Sequence, residues 1–338
     1  MLTHVHSKLC LLLFMLYAGS IQAQLIPNQE DELKNQNPAT ASLSLQMNLE
    51  EYQKVLSKAP FENSSTAKTP ALVQLPYPDG TLHTFNVLES PILAPSTALF
   101  FPNIKTYLLK QANNPSVWGR LTMSQLGIHA LIFTSTDGSY RIEPSTPNGL
   151  SKLHYVYFSK NLKDSHNQPV RCGLQDDFHN DEPSTSTYRA GDCQLRTYRM
   201  AVAATGEYTT WAGSVANAVA NITATVNNVN AIYERDGHIR LILVTNSSII
   251  FSDSTADPYP TLTFPDGAYL TTNHNTLDTN IGSANYDVGH VFSAEWNGGL
   301  AQRPAVCSGT GKGRAASGML VNPTGSVIEG IVAHETAH

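Results

Sequence analysis

Charge is scarce in this 338-residue chain. Charged side chains make up 14%, with 21 Lys plus Arg against 27 Asp plus Glu. The net charge of −6 argues against a surface built to neutralise phosphates, so nucleic acid and anionic membranes are not expected partners. Cysteine is equally sparse. Four cysteines are too few to staple a small disulfide fold, so stability must come from apolar cores. Long hydrophobic runs are missing too: residues 9–18 form an apolar run of ten, against the ~20 needed to cross a bilayer. Apolar side chains still make up 41%, which excludes wholesale disorder, and the length suggests two domains at roughly 150 residues each.

That short run has the form of a secretory leader. Lys8 gives a positive start, residues 9–18 the apolar stretch, and Ile21-Gln22-Ala23 a small residue at the cut. Residues 1–23 are therefore expected to be a signal peptide and the mature chain to be secreted. Cys10 lies inside the apolar run and not after it, which disfavours a lipoprotein. Loss of the leader leaves Cys172, Cys193 and Cys307, an odd number for an oxidising compartment.

Residues 24–68 are polar and read as a weakly ordered lead-in with one helix around 45–57. From 70 to 158 short alternating runs take over. Residues 71–75 and 82–88 flank the turn Pro78-Asp79-Gly80, and Asp137-Gly138 marks a second hairpin. Further strands are expected at 106–109, 128–133, 140–143 and 153–158. An acidic linker follows at 174–193. Residues 196–204 then alternate like a strand. Val215, Val219, Ile222, Val226, Val229 and Ile232 place a helix over 211–233, and 239–244 is a near-continuous apolar strand. Strand, helix, strand implies a right-handed crossover in a largely parallel sheet. Residues 287–293 form another strand. The expected class is α+β or α/β, preceded by a mostly β first domain.

The chemistry gathers in the last turns. Ser326 followed by Glu329 has the form of a capping box, which starts a helix before an apolar run. His334 and His338 then lie one turn apart on one face, and Glu335 stands about 100° round from His334. This H-E-x-x-H pattern supplies two zinc ligands and a general base. The bland alternative is two histidines on an ordinary buried helix. A catalytic zinc usually takes three protein ligands, so 1–338 is expected to be the front part of a longer product, inactive by itself.

The order of Arg196 to Tyr208, the 211–233 helix, Tyr286-Asp-Val-Gly-His-Val-Phe-Ser293, Gly299-Leu300-Ala301, Val306-Cys307 and His334-Glu-Thr-Ala-His338 resembles the adamalysin/reprolysin-like branch of the metzincin zinc peptidases. The resemblance covers about 194–338 and implies a twisted mixed sheet with an active-site helix, one catalytic zinc, and protein or peptide substrates. It makes 24–173 a prodomain. It implies that 286–293 is an edge strand pairing antiparallel with substrate, so that Val288, Gly289 and His290, with Gly299, Leu300 and Ala301 beside them, bind the peptide. Glu335 would take a proton from water acidified by zinc and return it to the leaving amine. The family's third histidine and Met-turn would fall after 338.

Arg171-Cys172-Gly173 with Asp176 resembles the cysteine-switch motif Pro-Arg-Cys-Gly-x-Pro-Asp. It departs in two places: Pro169 is one position early, and Gln175 replaces the second proline. A thiolate at Cys172 would occupy the zinc position that water needs. The alternative is a Cys172–Cys193 disulfide, and the switch leaves Cys193 and Cys307 to bridge each other or cysteines elsewhere. Activation would need a cut between Cys172 and Cys193. Arg189-Ala190 is the single basic candidate there, so autolysis and a trypsin-like activating protease are both open.

Other features carry less. Gly309-Thr-Gly-Lys-Gly313 fits no phosphate-loop pattern. Ser252-Asp253-Ser254 with Asp257 could take calcium or form a capped polar turn. His290 reads chiefly as a structural residue, and His238 and His274 as surface or loop residues. Asn63, Asn221 and Asn246 begin glycosylation sequons. Two rivals remain beside the secreted zinc metalloendopeptidase zymogen. One is an exported binding or adhesion protein with an inactive peptidase-like domain. The other is a thermolysin-like enzyme whose third ligand is a glutamate.

Overall fold

The computed structural model describes residues 39–40, 42–162, 171–172, 194–320 and 326–337. The expected leader, the acidic linker with Cys193, and His338 lie outside them.

The alternating runs become eight strands: β1 (Leu43–Gln46), β2 (Ala71–Pro76), β3 (Leu82–Glu89), β4 (Lys105–Gln111), β5 (Trp118–Ser124), β6 (Gly127–Phe133), β7 (Ser139–Pro144) and β8 (Leu153–Phe158). They form one antiparallel sheet in the order β1-β8-β7-β6-β5-β4-β3-β2. The Asp79 turn closes β2 onto β3, with Asp79 Oδ1 accepting from the Thr81 N–H at 2.8 Å. Helix α1 (Leu49–Leu56), capped by the Asn48 side chain, buries Tyr52 and Leu56 in a core shared with Leu75, Phe85, Leu121, Ile132 and Ile142. The segment expected to be weakly ordered is thus partly built into the sheet: β1 pairs with β8, and the helix starts at 49 and not 45. A short helix, α2 (Pro95–Phe100), follows β3.

A second sheet contains β9 (Arg171–Cys172), β10 (Arg196–Ala204), β11 (Ile239–Leu243), β12 (Val288–Ser293), β13 (Gly298–Ala301) and β14 (Ala315–Gly318). Its order is β11-β10-β12-β14-β13-β9. β10 is parallel to both β11 and β12, as the crossover pattern requires. The helix expected over 211–233 is two helices, α3 (Gly206–Ala212) and α4 (Val215–Asp236). Gly213 at φ +84 ends α3 in a left-handed conformation that glycine adopts freely, and Ser214 caps α4 through the Asn217 N–H. Helix α5 (Gly267–Asn280) and helix α6 (Ser326–Ala337) complete the unit.

Both faces of this sheet are covered. Met200, Val202, Val288 and Phe292 pack with Val219, Ile222, Val226, Ile328 and Val332 of α4 and α6. Ala201, Ala203 and Val291 pack with Tyr269, Leu270 and Leu277 of α5 on the other face. The resemblance implies an edge position for 286–293, and the structure corrects this. β12 lies inside the sheet, paired with β10 on one side and β14 on the other, so its backbone has no free side for a peptide. The edge strand on this side is the two-residue β9, which pairs with β13.

Helix α4 lies between the two sheets. Its apolar stripe faces β10 and β11, and its buried asparagines meet other elements. Asn227 accepts from Arg120 Nε of β5 at 2.7 Å and donates to Thr122 at 3.0 Å. Asn230 donates to the Leu241 carbonyl at 2.9 Å. Arg120, fully buried, also pairs with Glu234 at 2.8 Å, and Arg240 bridges Glu234 and Glu62 at 2.5 Å each. Ile92, Leu93, Phe101, Ile104 and Leu126 from the first region enter the same core as β10 and α4. Each such side chain contributes roughly 1.5–3 kcal/mol on full burial.

His154 ties β8 to β6. Its Nε2 accepts from the Ile128 N–H at 3.1 Å, so the proton sits on Nδ1, which donates to the Lys152 carbonyl at 3.0 Å. Burial pushes His154 down to about 4, and burial together with His154 pushes His129 down to about 3, both from 6.5. Folding keeps both neutral. The stability they confer is complete above pH 6.5 and falls as pH drops toward 4, by roughly 1.4 kcal/mol per pH unit per histidine. Thermal melts from pH 7 to 4.5 are expected to show this loss, and His154→Gln should flatten the slope. An unchanged slope would contradict the assignment.

Candidate active site

Helix α6 is held at three points. Ile328 and Val332 enter the core beneath it. Tyr233 of α4 donates its hydroxyl to the Ala333 carbonyl at 2.5 Å. Glu329, expected to close a capping box, is committed elsewhere: it accepts from Asn228 Nδ2 at 2.6 Å and pairs with Arg141 Nη2 of β7 at 2.6 Å. Arg141 also lies 3.5 Å from Glu143, which accepts from the Tyr157 hydroxyl at 2.7 Å.

Held this way, α6 turns His334 outward and Glu335 inward. His334 is exposed, and its Nε2 lies 3.3 Å from the Cys172 sulfur. Cys172 arrives on β9, which pairs parallel to β13 with Cys172 opposite Gly299. Glu335 is 1% exposed and packs against that same glycine. A Cβ on Gly299 would meet Glu335 Cγ at 2.4 Å and Oε1 at 2.7 Å, so the approach of the carboxylate requires glycine there. Burial pushes the Glu335 carboxyl up to about 7, against the opposing pull of Arg303.

The ligand atoms of Cys172, His334 and Glu335 all lie within 4.8 Å of one another. Among the described residues no other group of three or more His, Cys, Asp and Glu side chains meets that spacing. An imidazole, a thiol and a carboxylate suit a borderline-soft, four-coordinate ion, which is the donor preference of zinc. His338, the second expected ligand, lies outside the described residues. Cys193, the partner expected for either bridge, lies outside the described residues.

The other expected site residues divide. Gly299, Leu300 and Ala301 lie on β13, beside the three-residue group. Val288, Gly289 and His290 do not: all three are buried in the middle of the sheet. His290 Nε2 is 2.7 Å from Ser317 Oγ, and burial pushes this imidazole down to about 3, so it is a neutral link from β12 to β14. Calcium finds no support. Asp253 caps the Thr255 N–H at 2.8 Å, and Asp257 accepts from the Gly206 N–H at 2.7 Å and the Tyr259 N–H at 2.8 Å. In the 309–313 turn, Lys312 donates to the Ser283 carbonyl and lies over the Tyr286 ring at 4.5 Å, a structural role. Asn221 is buried in α4 and donates to the Pro147 carbonyl at 3.1 Å, out of reach of glycosylation in the folded chain. Sequence reasoning missed Arg141 and the true role of Glu329. The available signal was a carboxylate inside an otherwise apolar helix turn.

Residues 194–338 match the family model of the reprolysin-like metallo-peptidases, family M12B. This stretch is a reprolysin-like metallopeptidase domain. No curated protein matches the chain. The match separates the reprolysin-like reading from the thermolysin-like rival. Peptidases of this family are generally zinc-dependent and act on proteins, in keeping with the donor set around His334. Among the described residues of the domain and of the region before it, no helix is long and apolar enough to cross a membrane.

The metallopeptidase domain needs Gly299 for the seat of Glu335. Gly299→Ala is expected to leave the melting temperature within a few degrees and to lower kcat/KM on a peptide substrate about 100-fold, the cost of a displacement near 1 Å. Undiminished turnover would show that Glu335 does not need this seat.

Proposed function

We propose that the chain is the latent form of a secreted zinc metalloendopeptidase, with Glu335 as general base, His334 and His338 as metal ligands, and Cys172 as the group that keeps the site silent. The observation that carries this reading is the 3.3 Å approach of Cys172 Sγ to His334 Nε2 beside the buried Glu335 carboxylate. Residues 24–173 are then the prodomain and 1–23 the leader. The carboxylate of Glu335 removes a proton from the attacking water and delivers it to the amine nitrogen released from the cleaved peptide bond. Its raised proton affinity, near 7, suits both halves of that task. Zinc, when bound by His334 and His338 with Cys172 withdrawn, would supply the Lewis acidity that acidifies water and polarises the scissile carbonyl.

β13 offers the backbone edge for an extended substrate, with Gly299, Leu300 and Ala301 along it. In the unprocessed chain β9 lies along that edge, parallel to β13, and brings Cys172 beside His334 as a plug. A cut between Cys172 and Gln194 releases the plug.

Two variants test the reading in the intact protein. Glu335→Gln is expected to lower peptide cleavage by a thousandfold or more with unchanged zinc content by elemental analysis; normal turnover removes Glu335 from its role. Cys172→Ser is expected to give activity without processing, sensitive to a strong chelator; continued latency contradicts the switch.

A further inference from the structure

Prodomains are ordinarily thought of as detachable, yet the contacts between the first region and the peptidase domain are those of one core. Ile92, Leu93, Phe101, Ile104 and Leu126 are all nine-tenths or more buried, in the same cluster as Met200, Val202, Val226 and Leu241. The backbone joins as well. The Leu243 N–H donates to the Ile92 carbonyl at 2.6 Å, and the Ala94 N–H donates to the Leu243 carbonyl at 2.8 Å. These bonds extend the peptidase sheet past β11, its far edge from the active site. Thr97 Oγ1 adds a bond to the Thr245 carbonyl at 2.8 Å.

Charge closes the joint at two further places. Arg120 of β5, 0% exposed, reaches Glu234 and Asn227 of α4. Arg141 of β7 reaches Glu329, 2% exposed, in the first turn of the active-site helix. Removal of the first region would strip Glu329 of the guanidinium that faces it and would open the edge of β11. A buried carboxylate separated from its cation is strongly unfavourable, and an uncovered apolar edge strand invites aggregation.

We propose that residues 39–162 are a permanent part of the peptidase: after the chain is cut between Cys172 and Gln194, they stay bound to residues 194–337 and continue to hold α6 through Arg141. The inference rests on the peptidase reading only for the position of the cut. The contacts at risk lie on β11, α4 and the first turn of α6, away from the Cys172 plug.

The test inserts a recognition sequence for a site-specific protease between Gly173 and Asp192 of the full chain. After complete cutting, shown on a denaturing gel, the sample is passed through size-exclusion chromatography with light scattering under native conditions. Expected is one particle of the combined mass containing both fragments, stable to dilution from micromolar to tens of nanomolar. Elution of the fragments apart, or precipitation of either one after cutting, overturns the proposal. In the same cut chain, Arg141→Met is expected to raise the dissociation constant at least tenfold. No change there would remove Arg141 from the joint. The readout is mass, so loss of the metallopeptidase reading would appear as absent peptide cleavage and leave this result untouched.

Discussion

The absence of a side chain at Gly299 is the constraint on which the site depends. Its backbone meets two neighbours at once: Cys172 of β9 across the strand edge, and the Glu335 carboxylate above the strand. A methyl group would lie 2.4 Å from Glu335 Cγ, so even alanine would displace the helix or the carboxylate. With glycine, the strand edge, the buried acid and the exposed imidazole come within reach of one another. The burial that Gly299 permits is also the cause of the raised proton affinity of Glu335.

Rigid support for that arrangement comes from α4. A helix buried on all sides usually carries apolar residues all round. α4 instead carries a row of asparagines and threonines, of which the side chains of Asn227, Asn228 and Asn230 find partners on β5, α6 and β11. Polar groups buried in this way stabilise only when satisfied, so they specify one arrangement of the two sheets. The chain of contacts from β7 through Arg141 and Glu329 to the turn that bears His334 and Glu335 links the first sheet directly to α6.

Much of this architecture was legible from residue order. Strands with clean alternation, such as 71–75 with 82–88 and 196–204, emerged where expected, because one face or both faces meet a core. β5 did not, since Gly119 and Arg120 break its pattern, and only the partners on α4 make a buried arginine tolerable. The division at Gly213 was hidden by an apolar stripe that runs through it. His334 and Glu335 were legible because helical spacing alone sets their relation, whereas the edge strand was misplaced because pairing order is a tertiary property. β13 is short and glycine-rich, with little strand signal of its own. Glu329 resembled a capping residue because its ion-pair partner lies almost two hundred positions away in the chain.

If Cys172 silences the site as proposed, sulfur lies at the metal, and zinc X-ray absorption on the intact, unprocessed protein measures that directly. The expected spectrum contains one sulfur scatterer at about 2.3 Å alongside nitrogen and oxygen, with the sulfur lost in Cys172→Ala. A first shell of nitrogen and oxygen alone in the wild-type protein would contradict the placement of Cys172 at the catalytic ion.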